Sequence, residues 1–434
     1  MKVGMISLGC PKNLVDSEIM LGILNKDGFE ITFQSEEADV IIINTCAFIE
    51  DAKTEAIETI LEMAQYKETG NLKKLIVTGC LSQRYKEEVL LLLPEVDAVV
   101  GIDEVEKITE IINSDEKYFV GEGRGDYPEC QPRILTTPPY MAYLKIAEGC
   151  DNNCTYCAIP FIRGKFRSRK IEDVLKEARE LAEAGASEII VVAQDTTRYG
   201  EDIYGESKLP ELLEKLCEIE KIHWIRVMYT YPERLSDKVL KVVSENEKIA
   251  KYFDIPIQHI SDSVLKRMGR RTNGKSIREL IKKIKTMMPD AVIRTSLIAG
   301  FPGESEEDFM ELYDFVSEGH FSRLGVFAYS KEEGTPAEKL RGHLPEEVKK
   351  ERANKIMEVQ NRISRKFCEG FIGKEIEMIV EGGFDKTYFG RSIQDSPEID
   401  GKVFVEGGGD HLIGRYAKVK ITGADDYDLK GEII

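Results

Sequence analysis

The 434-residue chain contains no run of about 18 apolar residues of the kind that spans a bilayer. A helical membrane protein is thereby excluded. Its start, "MKVGMISLGC" followed by "PKN", lacks the apolar stretch and small-residue cleavage site of a secretory leader, so a cytosolic location is expected. There is no low-complexity tract. Of its five histidines, His223, His320, His343 and His411 lack ligand spacing and are assigned no role. Positive charge is in deficit, with 60 Lys and Arg against 78 Asp and Glu and a formal net of −18. That balance disfavours an extended nucleic-acid surface, although it permits a local basic patch.

What is present is apolar sequence, 42% of the residues, enough for two or three domain cores, and nine cysteines. Cytosolic thiols are kept reduced, so these read as ligands, catalysts or core fillers rather than disulfides. From 1 to about 120 strand alternates with helix. "KVGMISL" precedes the amphipathic "LVDSEIMLGILNKDG", "DVIIINT" precedes "DAKTEAIETILEMAQYK", "KKLIVTG" precedes "RYKEEVLLLL", and "VDAVVG" adds a fourth strand. Unbroken apolar runs of this type suit a parallel sheet covered on both faces. Residues 121–139 have the Gly and Pro density of a linker. Six further strand–helix units fill 140–335, too few for an eight-stranded closed barrel, which predicts a curved, partly open one. A charged helix over about 336–370 leads to short alternating strands with Gly turns at 371–434, read as a small antiparallel β-barrel. The predicted class is α/β with three domains.

Three amino-terminal strands end on a cysteine: "VGMISLGC" at Cys10, "VIIINTC" at Cys46 and "KLIVTGC" at Cys80. Carboxyl ends of parallel strands lie along one edge, where open α/β sheets keep their ligands, so the three thiols should converge. The competing reading is three small buried hydrophobes. Cys130, Cys217 and Cys368 are assigned no role.

A second group, "GCDNNCTYCAIP", spaces Cys150, Cys154 and Cys157 as Cx3Cx2C just after the first barrel strand. Structural zinc needs four ligands, and neither a fourth cysteine nor a histidine lies nearby. Three thiolates on a short loop suit a 4Fe-4S cluster with one open iron. In this context the motif resembles the radical S-adenosylmethionine superfamily. The resemblance implies S-adenosylmethionine on the open iron, cleaved there to a 5′-deoxyadenosyl radical. It assigns Tyr156 to the adenine, although a packing aromatic reads the same way. "IRTSLIAGFPGE" resembles the superfamily's adenine-binding segment and nominates Gly300 and Pro302, which also suit an ordinary strand-to-helix turn. Gln194, ending the second barrel strand, is a candidate contact by position.

Cys10, Cys46 and Cys80 likewise have no fourth partner in phrase and suit a second 4Fe-4S cluster. Two such clusters, an α/β leader and a small β-barrel tail resemble the methylthiotransferase family along nearly the whole chain, the tail being its TRAM domain. "SLGCPKNLVDSE", "INTCAFI" and "IPIQHISDSVLKRMGR" are similar to its RimO branch, which methylthiolates the β-carbon of an aspartate in the twelfth small-subunit ribosomal protein. Relatives that modify tRNA adenosine usually carry Gln-Met-Asn after the first cysteine and Gln-Ser in place of Gln258-His259.

Residues 371–434 hold eight basic against thirteen acidic residues, a net of −5. Such a tail should repel tRNA and steer a basic ribosomal protein, free or on the small subunit, toward the barrel mouth. A merely solvated acidic surface is the competing reading. "LKRMGRRTNGK", 265–275, is a basic run for ribosomal RNA or for solvent. A reductant protein is implied by the chemistry. Two rivals stand: a tRNA methylthiotransferase, and a non-catalytic iron–sulfur RNA-binding or redox-sensing protein.

Overall fold

The computed structural model describes residues 1–121 and 131–434. Cys130 and residues 122–130 of the expected linker lie outside the described residues. Six parallel strands form the amino-terminal sheet: β1 (Lys2–Ser7), β2 (Glu30–Thr32), β3 (Val40–Thr45), β4 (Lys74–Gly79), β5 (Ala98–Val100) and β6 (Tyr118–Phe119), in the order β2-β1-β3-β4-β5-β6. Four were expected. The added edge strands, Glu-Ile-Thr and Tyr-Phe, are too short to carry an apolar run.

Helix α1 (Pro11–Lys26) departs from the expected amphipathic pattern, because almost every residue from Lys12 to Leu24 is buried. It lies between the sheet and the first barrel strand, in one shared apolar core. Its acidic residues are therefore neutralised inside. Glu18 accepts from Arg133 Nε at 2.8 Å and from the Thr136 N–H at 2.7 Å, and Asp16 pairs with Lys145 and Arg163.

The six expected barrel strands all form: β7 (Met141–Lys145), β8 (Glu188–Val192), β9 (Trp224–Val227), β10 (Tyr252–Asp254), β11 (Val292–Ala299) and β12 (Arg323–Ala328). They make two parallel sheets, β9-β8-β7 and β10-β11-β12, joined by one isolated bridge between Ile225 and Ile249. The barrel is thus partly open, with β7 and β12 as its edges. Helix α2 (Glu346–Glu369) packs against β12 and buries Ala353, Ile356 and Val359 in the barrel's outer core.

The tail closes into a five-stranded barrel of β13 (Glu375–Phe384), β14 (Thr387–Ser392), β15 (Val403–Glu406), β16 (Tyr416–Ala424) and β17 (Leu429–Ile433). It is not wholly antiparallel, since β15 and β17 close it as a parallel pair. It also sits away from the barrel mouth. Its contacts fall on the amino ends of the barrel strands: Arg391 pairs with Glu188 at 2.7 Å, Arg323 with Asp395 at 2.6 Å, and the Tyr252 hydroxyl donates to Asp400 at 2.6 Å. These buried pairs fasten the tail to the end opposite the mouth toward which its charge was expected to steer a substrate.

Candidate active site

Cys46 follows β3 directly, Cys80 follows β4 and begins a short helix, and Cys10 caps α1 three residues beyond β1. These strands are consecutive in the sheet. At about 4.8 Å between neighbours, the three strand ends span about 10 Å. Gly9 makes the approach possible. Its φ is +87°, and a Cβ there would stand 2.7 Å from the Cys46 Cβ, so only glycine fits. The Asn13 amide donates to the Leu8 carbonyl at 3.1 Å and the Thr45 carbonyl at 2.9 Å, clamping the first two cysteine loops together. Asn13 Oδ1 accepts from Arg163 and lies 3.7 Å from the Cys80 sulfur.

Burial pushes the Cys80 thiol up to about 12 against the pull of Arg163, and it also raises Cys46. Cys10 moves the other way. Burial opposes its ionisation, but Lys12, Arg163 and the N–H groups at the start of α1 outweigh that and lower it.

The second triad lies on the loop after β7. Gly149, at φ +78°, passes so near the 165 carbonyl that a Cβ would stand 2.1 Å from it. The loop is tied down by the Cys150 N–H to the Gly164 carbonyl at 3.1 Å and the Thr155 N–H to the Met268 carbonyl at 2.9 Å. Cys154 Sγ faces the Tyr231 hydroxyl at 3.7 Å and Arg270 Nη1 at 3.9 Å. Arg270 comes from the basic run at 265–275 and is buried over the Tyr231 ring, paired with Glu233 at 3.3 Å. For this residue, neither solvent nor ribosomal RNA is the destination. Burial raises Cys150 to about 11 and raises Cys157 too.

A buried charge network joins the triads. Arg163 donates to Glu148 Oε2 at 2.7 Å and to Asp16 Oδ2 at 3.2 Å, besides its contact with Asn13. Lys145 pairs with the same two carboxylates. Asn13 was noted only as part of the Pro11-Lys12-Asn13 branch motif, and Asp16, Lys145, Glu148 and Arg163 were not singled out from sequence. The readable signal was a charge inside apolar sequence, as in "MAYLKIAEGC".

Gln194, just past β8, donates to Glu148 Oε1 at 2.5 Å, while its Oε1 is buried without a partner. Tyr156 packs edge-on to Phe301, ring centroids 6.4 Å apart, within a cluster that includes Met268 and Tyr329. Gly300 and Pro302 form the turn after β11. The Gly300 N–H is held by Glu304 Oε2 at 2.8 Å, and Pro302 is buried. His259, fully buried, accepts from the Ser261 N–H through Nδ1 and points Nε2 at Glu304 Oε2, 3.6 Å away. It thus supports that turn from behind. Cys217 is half-buried at a helix end, and Cys368 is buried 3.9 Å from Arg323.

Among the described residues no three His, Cys, Asp or Glu side chains are gathered tightly enough for a single metal ion. A four-iron cube binds each thiolate to a different iron and so holds sulfurs farther apart than one ion does. Each triad fits that group. One set of three sits at adjacent strand ends and the other on one short loop, and burial keeps Cys46, Cys80, Cys150 and Cys157 protonated until a metal displaces the proton. Among the described residues, no helix is long and apolar enough to cross a membrane.

Residues 2–101 match the family described as Uncharacterized protein family UPF0004, residues 144–316 the Radical SAM superfamily, and residues 372–434 the TRAM domain. The chain is 53% identical to a protein of Alkaliphilus oremlandii named ribosomal protein uS12 methylthiotransferase RimO, covering all of this chain and 99% of that one. It is 49% identical to the protein of that name from Clostridioides difficile, again over 100% and 99%. Among solved structures it resembles TsrM from Kitasatospora setae, a radical S-adenosylmethionine methyltransferase, with a TM-score of 0.58 at 12% identity, covering 77% of this chain and 76% of that one. At that identity the likeness concerns the fold alone.

Proposed function

Because the chain belongs to the ribosomal protein uS12 methylthiotransferase family of radical S-adenosylmethionine enzymes, which uses S-adenosylmethionine and two 4Fe-4S clusters, we propose that its two cysteine triads divide one reaction between them. Cys150, Cys154 and Cys157 hold the radical-generating cluster. Cys10, Cys46 and Cys80 hold the cluster that carries sulfur. The product is a methylthio group on the β-carbon of an aspartate of uS12. Bound there, the clusters and S-adenosylmethionine supply a hydrogen-abstracting radical, a sulfur atom and a methyl group.

The observation that carries this reading is Arg163, whose guanidinium touches both the Asn13 side of the first triad and the Glu148 side of the second. Loops tied to each other by one buried side chain are held at a fixed separation, which supports a reaction divided between the two triads. The protein's residues orient and shield; they do not abstract. No side-chain base removes a proton from an unactivated C–H bond at useful rates. Tyr156, Gln194 and the turn at Gly300 and Pro302 are assigned to S-adenosylmethionine. The unpartnered Gln194 Oε1 supports its part, and Glu148 sets its amide orientation.

The enzyme works in the cytoplasm with a reductant protein, on uS12 free or within the small subunit. The net −5 of residues 371–434 argues against tRNA. The test is an anaerobic incubation of reconstituted enzyme with S-adenosylmethionine and dithionite, uS12 and tRNA in parallel. Mass spectrometry should find one hydrogen replaced by a methylthio group on an aspartate peptide. A methylthiolated nucleoside beside an unmodified peptide overturns the assignment.

A further inference from the structure

Lys12 lies on the first turn of α1, two residues after Cys10, and is only 7% exposed. Its ammonium stands 3.4 Å from the centroid of the Tyr229 ring, at the carboxyl end of β9. The side chain therefore reaches from the first triad to the mouth of the radical barrel. Among the described residues it is the one buried Lys or Arg with no carboxylate oxygen within 4.0 Å. The others, such as Lys145, Arg163, Arg270 and Arg391, are all paired.

The nearby carboxylates are already committed. Asp16 and Glu148 serve Lys145 and Arg163. Asp254 serves Arg294 at 2.6 Å and the Tyr229 N–H at 2.9 Å. Tyr229 is held at φ +58°, a left-handed conformation costly for a bulky residue, and its anchored backbone keeps the ring against the ammonium. The π face stabilises the cation without neutralising it.

The Cys10 sulfur is the nearest anionic group to this ammonium, and it is shared with Arg163. A buried cation with no carboxylate of its own is expensive, and so is a carboxylate carried into the same dry space, so pairing the two reduces both penalties. We propose that the Lys12 ammonium is the docking point for the carboxylate of the substrate aspartate, which makes Lys12 a specificity-determining residue. This rests on the reading of the substrate as an aspartate side chain. The carboxyl carbon is bonded directly to the β-carbon. A grip on the carboxylate therefore fixes the reacting carbon one bond away, beside the first triad and facing the barrel. Arg163 cannot take this part, since its guanidinium is spent on Asn13, Asp16 and Glu148.

The experiment uses reconstituted holoenzyme and two uS12 peptides, one with the target aspartate and one with asparagine in its place. Affinities are measured anaerobically, with iron counted in each preparation. The wild type should prefer the aspartate peptide by on the order of tenfold or more, the scale of a buried charge pair. In Lys12→Met the two affinities should become nearly equal, with iron retained, and Lys12→Arg should keep most of the preference. A Lys12→Met enzyme with the wild-type ratio overturns the proposal. So does loss of iron in both variants, which would make Lys12 a support for the first cluster. Failure of the wild type to modify the aspartate peptide would instead strike the proposed function.

Discussion

Arg163 Nη1 lies 2.7 Å from Glu148 Oε2, and the other arm of the same guanidinium reaches Asn13. One side chain therefore couples the loops that carry the two triads. Arg163→Met would strand Glu148 and Asp16 with only Lys145 between them. Breaking one partner of a buried pair costs about 3–5 kcal/mol. The variant should unfold at a temperature several degrees lower in calorimetry of the metal-free protein, and Arg163→Lys should recover part of the loss. An unchanged transition would remove the bridge from the account.

The triads make separable demands on iron. Reconstituted protein should bind about eight iron atoms, four per triad. Replacing Cys150, Cys154 and Cys157 by alanine should halve that and abolish 5′-deoxyadenosine release, whereas replacing Cys10, Cys46 and Cys80 should halve it while some release persists. Iron analysis and chromatography of the nucleoside decide. Full iron in the second triple variant would contradict a cluster at the three strand ends.

Much of this was legible from residue pattern. Val40–Thr45 and Lys74–Gly79 carry apolar runs at 40–43 and 75–77, and cysteines at their ends had to share an edge once the sheet was parallel. What stayed hidden depends on which surfaces meet. The α1 sequence looked amphipathic because Asp16 and Glu18 are charged, yet their partners Lys145 and Arg133 lie more than a hundred residues away. Arg270 looked like part of a basic run for ribosomal RNA or for solvent and is buried on Cys154. Local periodicity reports a helix's own faces. It does not report an ion pair formed across a domain boundary.

The seat of the tail alters what its removal would show. Arg391 fills a buried site between Glu188 of the barrel and Glu381 on the neighbouring strand β13, so truncation at 371 would leave Glu188 with Arg226 alone and Arg323 without its carboxylate partners Asp395 and Asp400. Radical cleavage of S-adenosylmethionine should then fall along with substrate capture, because the barrel itself loosens. Charge reversal at exposed acids of the tail is the cleaner probe. Glu406→Lys with Glu432→Lys should weaken uS12 binding in a salt-dependent manner, since exposed charges are screened over about 8–10 Å at physiological ionic strength, and should leave the melting temperature within about a degree or two. Unaltered affinity would mean that this acidic face is only solvated.

Glu188 should also give the protein a measurable acid dependence. Burial opposes its ionisation, but Arg391 and Arg226 outweigh that and hold its carboxyl below its ordinary value of 4.5. A depressed carboxylate binds fewer protons folded than unfolded. Its stabilisation is therefore complete above about 4.5 and is lost as pH falls through the lower folded value, where protonation frees two buried guanidinium groups. One such group contributes at most about 1.4 kcal/mol per pH unit across that window. Glu188→Gln removes the titration. The variant should be less stable than the wild type at pH 7, and the gap should narrow as pH drops below 4.5. Urea unfolding of the metal-free protein from pH 7 to pH 3.5 measures both curves, and parallel curves would show that the Arg391–Glu188 pair does not carry the acid sensitivity.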